Sequence, residues 1–214
     1  MNHLQKEMMP QNPSYFGFVY LLHTFHEFSA RRTDGSMSHI KELIERYVLA
    51  KDQNKPHQMA RVFTPDVKLS MHVLTQDITF PPVANGLTNV TDVVCSNLNR
   101  HFENIYTFCF TDPPVSPGES FSCGWMVVMS EKTGGAVRVG GGRYDWCFNQ
   151  ERTRVNALTI TVSDMSCLPA ATLPSVMEWV ENLSYPWVSR ETAELLSRDI
   201  RDLSEILLRL GAKT

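Results

Sequence analysis

Several signatures of dedicated chemistry are missing from this chain. There is no C-x-x-C, no H-x-x-x-H, no H-E-x-x-H and no Cys/His set at zinc-ligand spacing, so the sequence offers no metal site. No G-x-S-x-G elbow presents a serine nucleophile. The triplet Gly140-Gly141-Gly142 lies inside a strand pattern and opens no helix, which argues against a phosphate-cradling loop. Neither charge is in excess: 20 Lys and Arg stand against 23 Asp and Glu, for a net charge of -3. The basic residues are scattered along the sequence, so neither nucleic acid nor an anionic membrane is an expected partner. Long apolar runs are absent as well. The run from Tyr15 to Leu22 is interrupted by His23, His26 and Glu27, and no small-residue cleavage site follows. That excludes a membrane span and a signal peptide as readings of this stretch. The five cysteines are odd in number and well separated. They read as buried, reduced thiols and suit a cytoplasmic setting.

What is present fits a globular protein, with 43% apolar and 20% charged residues over a length that allows one domain plus extensions. Residues 1–37 form an N-terminal extension in which Phe18, Leu21, Leu22, Phe25 and Phe28 fall on one helical stripe. This stripe suits packing on the chain itself or on a second subunit better than membrane contact, because its polar face is not lysine-rich. Residues 38–167 carry the main pattern. An amphipathic helix starts at Ser38 with Ile40, Leu43, Ile44, Tyr47 and Val48 on its apolar face. A short helix with Met59, Val62 and Phe63 follows and ends at Pro65, and a strand then runs through Val67, Leu69, Met71 and Val73. A third helix runs from Thr88, its N-cap, to about Phe102. Four strands close the domain, with Tyr106, Phe108 and Phe110 alternating in the first of them. Residues 168–214 form a C-terminal helical extension. One short helix opens with the capping box Ser175-Val-Met-Glu178, and a longer one from Ser189 carries the seam Leu196, Ile200, Leu203, Leu207 and Leu210. Early helices followed by a meander of strands indicate an α+β domain with helices covering one face of its sheet.

The stretch from Gly140 to Met165 organises this domain. Tyr144, Trp146 and Phe148 alternate on even positions, whereas Val137 and Val139 are odd. A strand keeps its parity unless a residue is inserted, so a β-bulge or bend is expected at the three glycines.

The ordered set I-x-x-L-I-x-R-Y-x-x-A-x-D from Ile40 to Asp52, V-F-T-P-D from Val62 to Asp66, Gly86 before a helix, and G-R-Y-D from Gly142 to Asp145 resembles the SnoaL-like branch of the NTF2-like superfamily. The resemblance implies an NTF2-like cone, a curved antiparallel sheet wrapped around the N-terminal helices, with a pocket at its open end and frequent homodimerisation. Polyketide cyclases, scytalone-dehydratase-like lyases and ketosteroid-isomerase-like enzymes belong to this group. Asp52 falls where the dehydratase-like members carry a pocket aspartate. The histidines that partner it there have no counterpart at Tyr106 to Cys109 or near Gly141, and Met71 stands near where a tyrosine is wanted.

Proton transfer at carbon, the chemistry implied, needs a carboxylate or imidazole tuned to working pH and a donor facing the developing oxyanion. Asp52, Asp145, His72 and Tyr47 are the candidate catalytic residues. Each also has an ordinary reading: a helix-end aspartate in water, a strand aspartate paired with Arg143, a solvent-facing histidine, and a core tyrosine. Arg143 as an anion anchor, Trp125, Tyr144 and Trp146 as pocket wall, and His101 at a helix end are the candidate ligand-binding residues. Two function classes stay open, both without cofactor or metal. One is a lyase, isomerase or cyclase acting on a hydrophobic, aromatic or polycyclic small molecule. The other is a non-catalytic ligand-binding or dimerisation module.

Overall fold

A computed structural model describes residues 38–115 and 118–212. The apolar stripe from Phe18 to Phe28 lies outside the described residues. Helix α1 (Ser38–Asp52) forms where the sequence pattern places it. It ends because Asn54 takes a left-handed conformation (φ 51°), which asparagine tolerates, while the Lys55 N–H closes on the Ala50 carbonyl at 2.8 Å. A 3-10 turn (Pro56–Arg61) leads into β1 (Phe63–Val73). Phe63 and Pro65 therefore belong to the strand, not to a helix. Strand β2 (Val83–Asn85) pairs back on β1. Next, α2 (Leu87–Thr91), a π-helical turn (Asp92–Ser96) and α3 (Asn97–His101) run on as one rod. Its N-cap position is Gly86, at φ 79°, rather than Thr88. Strands β3 (Phe102–Phe110), β4 (Ser120–Glu131), β5 (Val137–Phe148) and β6 (Val155–Leu168) form the meander. The extension supplies α4 (Leu173–Glu181), α5 (Arg190–Leu196) and α6 (Arg201–Ala212).

The six strands make one curved sheet in the order β2-β1-β6-β5-β4-β3. The pair β1·β6 is parallel and the others are antiparallel, so this α+β sheet is mixed. Around Pro65 the β1·β6 register jumps from Phe63↔Val155 to Lys68↔Ala157, as expected of a residue with no N–H to donate.

Helices cover both faces of the sheet rather than one. On the inner face α1 and the α2–α3 rod pack on Trp125, Tyr144, Trp146, Ile160 and their neighbours. On the outer face α4 to α6 pack on Phe108, Met126, Val128, Val137 and Val139. This second core removes the parity paradox of β5. Val137 and Val139 point outward and Tyr144, Trp146 and Phe148 point inward, within one unbroken alternation. Pairing with β4 runs in constant register through all three glycines. The bulge lies across the strand: Gly141 faces Asp164 and Gly142 faces Val162, leaving Ser163 of β6 as the extra residue. Glycine is needed here for close approach. A Cβ on Gly141 would stand 2.7 Å from the Trp125 carbonyl oxygen, and one on Gly142 would collide with the Thr161 carbonyl.

The same outer layer corrects three further readings. Helix α4 begins at Leu173, with Pro174 in its first turn, so Ser175 lies inside it and does not cap it. The expected long helix starts at Ser189, whose hydroxyl caps it by accepting from Thr192 N–H, but it breaks between Leu196 and Arg201. Leu203, Leu207 and Leu210 are buried against the sheet, whereas Leu196 falls on the solvent side of the break. Among the cysteines, Cys95, Cys109 and Cys123 are buried, and Cys147 and Cys167 are exposed.

Truncating a docked leucine should therefore cost far more than truncating an exposed one on the same helix. Leu203→Ala is expected to lose about 2–5 kcal/mol, and Leu208→Ala to stay within about 0.5 kcal/mol. Urea unfolding of both variants checks the contrast; similar midpoints would mean that α6 does not dock as described.

Candidate functional site

The last turn of α1 delivers three residues to the inner face of the sheet. Tyr47 and Lys51 are four residues apart and share the stripe that faces the strands. Both line a cavity of about 60 Å³ with Val93, Val94 and Leu98 of the rod and Trp125, Tyr144 and Met165 of the sheet. The π-helical turn presents Val93 and Val94 to this space. It also sets Asn99, whose amide donates to the Lys51 carbonyl at 2.8 Å and to that of Cys95 at 2.9 Å. The wall is apolar almost throughout.

The Lys51 and Asp52 side chains are 6% and 2% exposed and meet at 2.6 Å. Lys51 Nζ also donates to Thr107 Oγ1 at 2.6 Å. Asp52 takes three more bonds: Thr107 N–H on Oδ2 at 2.6 Å, Thr107 Oγ1–H on Oδ1 at 3.0 Å, and the Tyr185 hydroxyl on Oδ2 at 2.8 Å. A carboxylate offers about four lone-pair positions, and here donors fill all of them. The pair is buried, satisfied and closed to further donors.

Tyr185 arrives from the C-terminal extension. Cys109 N–H donates to the Pro186 carbonyl at 2.7 Å, and Val188 N–H returns to the Cys109 carbonyl at 3.1 Å. The segment thus lies along the free edge of β3, while the Trp187 indole N–H bonds Glu45 Oε1 at 2.8 Å. Thr107 faces inward because β3 slips one register step at Asn104–Ile105, with Asn104 at φ 50°. Tyr106, Phe108 and Phe110, the alternation most visible in the sequence, face the outer core instead.

Tyr47 is fully buried, with edge-on rings of Phe63, Tyr144 and Trp146 around it at 5.8, 6.0 and 4.9 Å. Among the described residues its hydroxyl has no hydrogen-bond partner, and neither have the indole N–H groups of Trp125 and Trp146. The Tyr144 hydroxyl is close enough to influence the Tyr47 proton without reaching hydrogen-bond geometry. Burial pushes the ionisation of Tyr47 well above the usual tyrosine range, with the Asp52 charge adding to the rise. Burial likewise raises Tyr144, and it raises Tyr185 together with the charge of Asp52 and the bond to it. All three hydroxyls stay protonated, and that of Tyr185 donates to Asp52.

The remaining candidates sit elsewhere. Trp146 packs on Tyr47 in the inner core without lining the cavity. Asp145 and Arg143 pair at 2.8 Å on the exposed outer face, where Asp145 also accepts from Ser122 Oγ at 2.6 Å. Partial burial raises the Asp145 carboxyl, but the Ser122 and Arg143 hydrogen bonds and the nearby charges of Arg143 and His72 outweigh it and lower its pKa. His72 is exposed on that face, and His101 is exposed at the end of α3. Tyr47, Trp125 and Tyr144 are therefore brought together, Asp52 lies behind Lys51, and Arg143, Asp145, His72 and His101 are apart from them. Among the described residues, no three His, Cys, Asp or Glu side chains converge as metal ligands do. Sequence reasoning passed over Lys51, Thr107 and Tyr185. Lys51 was within reach, four residues from Tyr47; Tyr185 carries no local signal.

No family model matches this chain, and no curated protein matches it. Solved structures do. An NTF2-like superfamily protein from Salmonella enterica serovar Typhimurium is similar at 16% identity and TM-score 0.44, over 61% of this chain and 92% of that one. A protein with ketosteroid isomerase-like fold from Catenulispora acidiphila, solved with trimethylamine, shows 9% identity and TM-score 0.43 over 55% and 82%. A type 2 hexachlorocyclohexane dehydrochlorinase shows 11% and 0.46 over 61% and 87%. The first two carry the NTF2-like and ketosteroid isomerase-like names to which the motifs point, and none of the three carries that of the SnoaL-like branch. At such scores their ligands and reactions remain their own. The α+β class rests on the strand order and helix placement described above.

Two outcomes follow from the buried network. Lys51→Met leaves Asp52 without its counter-charge and should cost about 3–5 kcal/mol, whereas Tyr185→Phe removes one donor and should cost about 1–3 kcal/mol. Equal, near-zero losses in urea unfolding would contradict the network. In alkali, Tyr47, Tyr144 and Tyr185 hold their protons above the unfolded value of 10.0. Their contribution to stability is full below that pH and is lost as pH rises beyond it. Ultraviolet titration should show their ionisation coinciding with unfolding; ionisation of all six tyrosines near pH 10 in the folded protein would refute it.

Proposed function

We propose that this chain binds a compact, mostly apolar small molecule that carries one hydrogen-bond acceptor, in the cavity between α1 and the inner face of the sheet. One observation carries the reading: two buried donors, Tyr47 O–H and Trp125 Nε1–H, stand without partners in the wall of an otherwise apolar cavity. An unsatisfied buried polar group costs about 1–3 kcal/mol, and a ligand acceptor recovers that cost. Lys51 contributes a third donor to the same wall, with two of its protons already held by Asp52 and Thr107. The volume, about 60 Å³, favours a compact molecule over a polycyclic one.

A catalytic reading has one observation in its favour. Donors aimed at a carbonyl polarise it and stabilise an oxyanion, as a cofactor-free isomerase or lyase requires. The base for proton removal would be Asp52, and its four acceptor positions are occupied. Binding is the reading that the unpaired donors support, and catalysis at Asp52 requires first that Tyr185 or Thr107 let go.

Acetone and isobutene suit a cavity of this size, have nearly the same shape and differ in one acceptor. Calorimetric titration should find the ketone bound about tenfold tighter, the worth of one net hydrogen bond. Tyr47→Phe should erase most of that preference while leaving hydrocarbon binding intact. Equal affinity of both probes for the wild-type chain would remove the acceptor from the proposal, and binding of neither would remove the cavity.

A further inference from the structure

A second concave site lies at the other end of α1, and none of its lining residues borders the inner cavity. A pocket of about 260 Å³ is lined by His39, Glu42, Leu43 and Arg46 of α1, Arg61 of the 3-10 turn, and Arg154 just before β6. In sequence these arginines are far apart, so no basic run announces them. The fold gathers them by backbone. Val155 N–H donates to the Val62 carbonyl at 2.8 Å, and Phe63 stands opposite Val155 in the sheet, which holds Arg61 and Arg154 on adjacent chains. His39 Nε2 lies 3.4 Å from the Thr153 carbonyl, tying the first turn of α1 to the same corner. Glu42 is the sole carboxylate in the wall, 4.0 Å from His39 Nδ1.

Five arginines outside the pocket are treated differently. Arg100, Arg138, Arg143, Arg201 and Arg209 each have a carboxylate within 4.0 Å. None of the ion pairs among the described residues uses Arg46, Arg61 or Arg154, although these three share one pocket. With Glu42 as the one carboxylate among the described lining residues, the three guanidinium groups carry surplus positive charge, and a bound anion relieves their repulsion. Guanidinium is the side chain whose planar fork fits phosphate oxygens two at a time. A pocket of this size takes a phosphate and the small group it esterifies.

The geometry points to a phosphate-binding pocket formed by Arg46, Arg61 and Arg154, suited to a small phosphate ester. It is independent of the ligand proposed for the inner cavity. Calorimetric titration of the full chain with adenosine monophosphate and with inorganic pyrophosphate should show binding, and adenosine alone should show none. Arg46→Gln and Arg61→Gln should each weaken phosphate binding about tenfold or more, the loss of one charge-assisted hydrogen bond. Arg201→Gln, an arginine outside the pocket, should leave it unchanged. Phosphate should also raise the melting temperature of the wild-type chain but not of an Arg46→Gln, Arg61→Gln double variant. Should Arg46→Gln fail to fold, the variants at exposed Arg61 and half-buried Arg154, Arg61→Gln and Arg154→Gln, decide the question. Affinity that stays the same in the pocket variants, or that falls as much in Arg201→Gln, overturns the assignment. So does the absence of phosphate binding in the wild-type chain.

Discussion

A charged pair taken out of water has to be satisfied at every lone pair and proton, and Lys51–Asp52 imposes that demand on the rest of this fold. Stripping two ions of solvent costs several kcal/mol each, and their attraction offsets this only when further hydrogen bonds complete the geometry. The slip at Asn104 turns Thr107 inward so that its N–H and hydroxyl can serve Asp52. The edge of β3 is left open to a peptide segment, and that segment brings Tyr185. Asn99, set by the π-helical turn, holds the Lys51 carbonyl. Three irregularities, in strand, edge and helix, converge on one ion pair.

The C-terminal extension is consequently part of the domain rather than an appendage. Its helices bury the outer face of β3 to β5 and its linking segment completes the inner network. The two roles are mechanically connected. Phe108 packs in the outer core and its ring meets Tyr185 at 5.6 Å, one residue along β3 from Thr107. Displacing α6 from the sheet would thus disturb the donors of Asp52 through a single strand.

Much of the fold was legible because the inner core follows simple periods. Ile40 to Val48 repeat as a helix face, and Leu158, Ile160 and Val162 as a strand face, and both are buried as those periods require. Reading failed where a strand is buried on two sides. Val137 and Val139 looked like a break in parity only because one core was assumed; with a second core on the outside the alternation is continuous. Tyr106, Phe108 and Phe110 are the visible alternation of β3, and they face that second core, so Thr107 between them carries no signal of its own. At the site, Tyr47, Trp125 and Tyr144 were legible as apolar-stripe aromatics bearing polar tips. The strap was not, because pairing Tyr185 with Asp52 spans 133 residues and leaves no periodic trace.

The distribution of donors and acceptors separates the chemistry of the two faces of α1. Around Asp52 every acceptor position is filled, so that region is finished and rigid in its hydrogen bonding. In the cavity beside it, donors are left over: a tyrosine hydroxyl kept protonated by burial and an indole N–H that has no other role. The Trp146 indole N–H is unpaired as well, away from the cavity, so what distinguishes Tyr47 and Trp125 is that both border open space. Stability alone would favour phenylalanine at position 47, where ring packing against Trp146 is retained and no polar atom is stranded. The cost of keeping a hydroxyl there is offset when something with an acceptor enters, and that is the physical ground for the ligand proposed for this cavity.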